Sequence, residues 1–156
     1  MDKKTIELPR LTLEQKWQTA EENLIYFVVS GIAFAKSMGK SPEDFGTFAG
    51  IIAVTPSWGK DEGKGPQALV AGISRNKQQF RDFHLEILSE SETMIEARMK
   101  GFGENDVRHW LEPGVTVDDY LRFFDKKWIA IADHLGLEYK QRIEGDWIIF
   151  TVTEKR

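Results

Sequence analysis

The chain has no cysteine. That excludes disulfides, thiolate nucleophiles and every cysteine-based metal site together. Neither sign of charge dominates. Lys and Arg number 21 against 25 Asp and Glu, a net charge of −4. A basic footprint for nucleic acid is therefore missing. The longest apolar run, Leu24 to Ala35, falls well short of the ~20 residues a membrane-spanning helix needs. It reads instead as a helix buried in the core or at a dimer interface. The first residues, MDKKTIELPRLTLEQ, lack the apolar stretch of a secretory signal, so a cytoplasmic location is expected. No repeat and no low-complexity segment is present. The three histidines, His84, His109 and His134, are not at metal-ligand spacings, and no HExxH, phosphate-loop or GxSxG pattern occurs. No metal site and no particular cofactor is indicated.

What is present suits a folded domain. Hydrophobic residues make up 41% and charged residues 29% of 156. A chain of this length buries enough surface to need no staple, and one domain over 1–156 is expected. Residues 1–11 read as a flexible arm and 12–79 as helical. Thr12 and Gln15 have capping-box spacing, and Gly39 is placed to end the helix that follows. Ser41-Pro42-Glu43-Asp44 opens a second helix with a cap, a proline at its first position and acids at the positive end of its dipole. Gly46 and Gly50, four apart, predict close packing against another helix. SWGKDEGKG, residues 57–65, reads as a loop, and Pro66 restarts a helix to about Gln79.

From Arg81 the apolar period changes from helical to alternating. FHLEILSES and ETMIEARMKGF predict a hairpin turning near Ser89–Glu92. Residues 103–115 are irregular, with room for a helical turn. Thr116 and Asp119 cap a last helix with an apolar stripe through Tyr120, Phe123, Phe124, Trp128, Ile131 and Leu135, while Asp125-Lys126-Lys127 reads as its solvated face. A hairpin with Glu144-Gly145-Asp146 at its turn closes the chain. Its return strand, WIIFTVT, is apolar on both faces, which predicts a central strand or a second covering layer. Residues 81–156 thus form hairpin, helix, hairpin. The whole is an α+β domain: helices first, then a mainly antiparallel sheet of about four strands packed on helices.

The capped helix and the segment GLEYKQRIEGDWIIFTV, within Thr116 to Thr153, resemble the C-terminal end of the L-2-amino-thiazoline-4-carboxylic acid hydrolase-like family. Gly145, Asp146 and Phe150 carry the likeness in the hairpin, and Trp128, Ala132 and Leu135 in the helix. The outline also resembles small-ligand-binding domains of the vinyl-reductase type. The resemblance implies a small-molecule pocket between helices and sheet. The family's cysteines are absent here, so no catalytic residue carries over.

Candidate site residues follow from position. His84 and Glu86 share a strand face on which Arg98 can meet them across the hairpin. His109-Trp110 lies in the irregular segment, where an aromatic beside a titratable group is a common pocket lining. Trp58 and Trp110 both fall in loops, as pocket mouth, buried anchors or dimer contact. Trp147, on the second face of the last strand, needs a cover. Three functions fit: a domain that binds a small molecule between helices and sheet, a hydrolase-like enzyme using His, Asp and Glu side chains, and a homodimeric interaction module. No catalytic group is singled out.

Overall fold

The computed structural model describes residues 10–109 and 114–155. Five helices and four strands follow in the expected order: α1 (Leu13–Ser37), α2 (Pro42–Ala53), α3 (Gly65–Lys77), β1 (His84–Glu90), β2 (Met94–Lys100), α4 (Glu104–His109), α5 (Val117–His134), β3 (Leu137–Glu144) and β4 (Trp147–Glu154). The fold is α+β.

The helix starts obey local chemistry. Thr12, Ser41 and Thr116 each accept a hydrogen bond from the backbone N–H three residues on. The side-chain oxygens of Gln15, Asp44 and Asp119 in turn accept one from the cap's own N–H. Gly39 and Gly136, at φ 70 and 75, lie just beyond the ends of α1 and α5. Gly145, at φ 60, makes the β3–β4 turn. Two differences appear around α3. It starts at Gly65 and stops at Lys77, short of the expected Gln79, after which the chain turns toward β1. Residues 57–65 are not wholly loop. A π-helical turn, Val54–Trp58, extends α2, and a short 3-10 turn, Gly59–Asp61, follows.

The sheet is antiparallel throughout, in the order β1-β2-β4-β3. β4 is therefore central, which accounts for its apolar residues on both faces. Ile95, Ala97, Met99, Ile148, Phe150, Val152, Leu137 and Tyr139 are buried in the core shared with the helices. β1 departs from strict alternation. A bulge between Ile87 and Ser89 shifts its register, and Ile87 and Leu88 are both exposed on this edge strand.

α5 lies between α2 and the sheet. A side chain at Gly46 would strike the Phe123 carbonyl. A Cβ at Gly50 would sit 2.7 Å from both the Lys127 carbonyl oxygen and the Ala130 Cβ. The two glycines are the close-packing seam expected of them. The N-terminus of α5 is pinned by Asp119, which is 3% exposed. Its carboxylate accepts from the Thr116 N–H at 2.9 Å, Lys36 at 2.8 Å and Arg122 at 2.7 Å. Burial pushes this carboxyl up, but the bonds from Lys36 and Thr116 outweigh it and hold it below its ordinary value.

One expectation needs correction. The apolar second half of α1 is not covered all round. Ile25, Val29 and Ile32 are buried, but Phe27, Phe34 and Met38 are 72%, 68% and 65% exposed. Only one stripe of the helix meets described elements. No helix among the described residues is long and apolar enough to cross a membrane.

The glycine seam gives a direct test. Alanine at position 50 gains up to ~1 kcal/mol of helix propensity. It must also displace a backbone carbonyl, and overpacking of this kind costs ~1–3 kcal/mol. Gly50→Ala is therefore expected to lower stability in urea denaturation despite the better helix former. Unchanged or higher stability would mean that α2 and α5 are not in backbone contact.

Candidate functional site

The predicted site residues separate into two places. His84 and Trp147 line one groove of about 300 Å³, with Asp82, Lys100, Arg108 and Asp146. Glu86 and Arg98 stand beside it. Arg98 pairs with Glu86 at 2.6 Å, not with His84, which faces Lys100 in the register. The Arg98 guanidinium lies 4.3 Å and the Lys100 amine 4.5 Å from the centre of the Trp147 ring. These cations are the cover that Trp147 requires. Arg98 and Arg142 likewise flank Ile149 in register from both sides, and Ile149 is only 7% exposed. Glu104 is occupied by the Gly101 and Phe102 N–H groups at 2.6 and 2.7 Å. Trp110 lies outside the described residues, as does the side chain of His109. No cluster of metal-ligating side chains occurs among the described residues.

Trp58 belongs elsewhere. It is neither in a loop nor at a pocket mouth facing the sheet. It is 3% exposed and closes the π-helical turn after α2. Gly72 on α3 makes room for its ring, since a side chain there would collide with the indole. The ring meets Trp128 edge-on, with centroids 6.0 Å apart. Sequence position alone could not show this, because the π-turn is what swings Trp58 inward.

Trp58 and Trp128 help to line a second cavity, of about 250 Å³, among the helices. Apolar and aromatic side chains from α1, α2 and α5 share its walls with Lys77 and Lys127 and with the polar side chains of Ser57, Asn76 and Gln79. Lys77 is 3% exposed. Its amine lies 3.3 Å from the centre of the Phe124 ring, 4.5 Å from Phe102, 5.1 Å from Phe80 and 5.7 Å from Trp128. Its charged neighbours among the described residues are Lys127, which repels it, and Glu104, which attracts it. Neither lysine makes an ion pair with a described residue. The buried indole N–H of Trp128 has no acceptor among them either.

Magnitudes decide the charge state. An effective penalty of several kcal/mol opposes an unpaired buried ammonium. A desolvated cation–π contact returns ~2 kcal/mol. Burial therefore wins, reinforced by Lys127, and the Lys77 amine is driven well below its ordinary value. Lys127 is partly buried and is lowered by the same cause. The cavity is lined by aromatic and polar side chains and two amines lowered by burial, and it has no carboxylate of its own. Sequence reasoning missed both lysines. The signal was spacing: Lys77 follows Leu69 and Ile73 on the buried stripe of α3, and Lys127 sits one turn from Phe123 and Phe124.

No family model matches this chain, and no curated protein matches it in sequence. The geometry of the cavity is what bears on function.

The Lys77 environment has a measurable sign. An unfolded lysine titrates near ~10.4. The folded amine titrates lower, so between the two values the unfolded chain holds one more proton. Stability contributed by this group therefore rises with pH across that window. Tyr120 and Tyr139, both raised by burial, oppose this only as pH passes ~10. Lys77→Met is expected to raise stability by ~1–4 kcal/mol and to flatten the rise of stability with pH below ~10.4. Destabilisation with an unchanged pH slope would mean that Lys77 is a paired, charged structural residue.

Proposed function

We propose that this protein binds a small organic acid in the cavity lined by Lys77, Lys127, Trp58 and Trp128. One observation carries the reading. A buried amine, a second partly buried amine and a buried indole N–H without an acceptor belong to residues of one cavity whose lining holds no carboxylate. Natural interiors rarely leave such groups unmatched. A carboxylate would match them: Lys127 supplies the charge, the Trp128 N–H a hydrogen bond, and the aromatic wall takes the apolar body. The volume suits a ligand the size of a monocyclic aromatic acid. The site lies among the helices, on the far side of the fold's core from the open face of the sheet.

Calorimetric titration with phenylacetate and its neutral amide tests this. The acid is expected to bind and the amide not. Lys127→Gln and Trp128→Phe should each weaken the acid by about 10-fold or more, as loss of a hydrogen bond to a charged group does. Equal binding of acid and amide, or no binding of any aromatic acid at millimolar concentration, would sink the reading.

A second observation favours self-association as well. Phe27, Phe34 and Met38 of α1 and Phe48, Ile51 and Ile52 of α2 are 57–72% exposed. Gly31, Phe34, Met38, Phe45 and Phe48 line one apolar groove of about 390 Å³ between the two helices. At ~100 Å² a side chain, this face offers roughly 600 Å² of apolar surface, near the ~800 Å² each partner contributes to a standard interface. An apolar patch of one chain meeting the same patch of another needs no charge complement, so the occupant is a second copy in two-fold symmetry. Light scattering on the full chain should give a dimer and Phe34→Glu a monomer. A wild-type monomer at high concentration would exclude it.

A further inference from the structure

The organic-acid reading leaves Lys77 without a task, because Lys127 is enough to hold a carboxylate. Resting on that reading, we propose that the Lys77 amine condenses with the carbonyl of a small aromatic 2-oxo acid bound in the cavity, forming an imine. Three features of the surroundings argue for a reacting group rather than a packed one.

The first is isolation. A lysine buried to 3% for structural reasons is held by a carboxylate or by backbone carbonyls. Lys77 has aromatic rings on several sides instead, the nearest centred 3.3 Å from its nitrogen. Nothing described here occupies its lone pair. The second is activation. Placing an amine in a hydrophobic pocket beside another cation is how a lysine nucleophile is made available near neutral pH, and Lys127 is that cation. The third is access. Lys77 is one of the residues lining the cavity, and three of the rings around its amine, Phe80, Phe124 and Trp128, line it too. A carboxylate anchored at Lys127 places the adjacent 2-oxo carbon in the same small space.

The step balances without an oxidant or a metal. The Nζ lone pair forms a bond to the carbonyl carbon, and the carbonyl π pair moves to oxygen, which takes up a proton. Lys127 can supply it as the neighbouring ammonium. The nitrogen then returns one proton to Lys127, giving the neutral carbinolamine. Lys127 protonates its hydroxyl, which leaves as water as the nitrogen lone pair forms the C=N bond, and the last N–H proton passes back to Lys127. Amine and ketone thus become imine and water. The apolar wall disfavours the reverse hydration by limiting the water at the carbon.

Reductive trapping of the full chain tests the proposal. Phenylpyruvate with sodium cyanoborohydride is expected to give one adduct, on the Lys77 peptide by mass spectrometry. It should form at least 10-fold faster than on any exposed lysine, with a rate that stays high down to pH values where surface amines are silent. Lys77→Met, which keeps the packing, should abolish it. Phenyllactate, which has the carboxylate but no carbonyl, should bind and slow the trapping. If phenyllactate binds and Lys77 is not labelled, the imine is wrong and the organic-acid site stands. If adducts spread evenly over surface lysines, or Lys77→Met labels as the wild type does, the imine is likewise wrong. If neither acid binds by calorimetry, the cavity reading fails and takes the imine with it.

Discussion

The close approach of α2 to α5 governs where everything else can be. Two glycines four residues apart let one helix backbone lie on the other, with Gly46 against Phe123 and Gly50 against Lys127 and Ala130. A helix carrying ordinary side chains there would stand off by the 8–10 Å typical of packed helices. The approach sets α5 one layer down, with its aromatic stripe toward the core. It also determines where α2 ends. The last turn of α2 meets α5 at Lys127, and the π-helical turn beyond it drops Trp58 onto Trp128. Space then remains between those indoles, α1 and the end of α3. The cavity is a consequence of two helices packed too closely for their ends to be filled as well.

The protein handles its other buried charges conventionally. Glu21, 8% exposed, is paired with Arg81 at 2.8 Å. Asp119 has Lys36 and Arg122, together with the N–H of its own capping box. Lys36 also donates to the Gly114 carbonyl, so one lysine ties the end of α1 to the segment before α5. Each of these groups gains charge-assisted hydrogen bonds that offset its desolvation. Against this background Lys77 is the exception. Its compensation is the aromatic wall and the attraction of Glu104, and burial still holds its amine well below the ordinary value.

Most of the architecture was legible because it is local. The three capping boxes, the proline at the first position of α2, the glycines ending α1 and α5 and the Gly145 turn are each decided within a few residues. The alternation of β2 and the two-sided apolarity of β4 then imply an antiparallel sheet with β4 inside it. Less local features were not legible. On the edge strand β1, Ile87 is exposed although alternation assigns it to the core, because too little of the fold reaches that edge to cover it. The covered stripe of α1 depends on which helices reach it, and composition cannot show that. The predicted site residues were chosen for being polar or aromatic near turns, and three of them, Glu86, Arg98 and Trp147, are joined on the sheet through Arg98. Lys77 and Lys127 were hidden by their charge. A lysine inside a charged run reads as solvent-facing, and only its phase relative to the apolar stripe says otherwise. Trp58 was noticed for its loop position, yet its role comes from the turn that carries it inward.

The cost of Lys77 bears on the two surfaces that could hold a ligand. At the sheet, Trp147 is stacked by Arg98 and Lys100, and Arg98 is in turn paired with Glu86. A ligand entering there must break contacts the protein already makes, so its binding energy starts from a deficit. Among the helices the deficit belongs to the empty protein. An indole N–H without an acceptor and an amine buried without a counter-ion raise the free energy of the protein, and the acidic ligand proposed above would relieve it. Marginal stability makes such a penalty significant, because a few kcal/mol is a large part of a domain's total. A methionine at position 77 would fill the same volume without the penalty. That lysine stands there instead is understandable if the group is used, since strained or destabilised side chains persist where chemistry or recognition needs them. The exposed apolar face of α1 and α2 lies outside this reasoning. It costs solubility rather than folding energy, and a second copy of the chain would relieve it without touching the cavity.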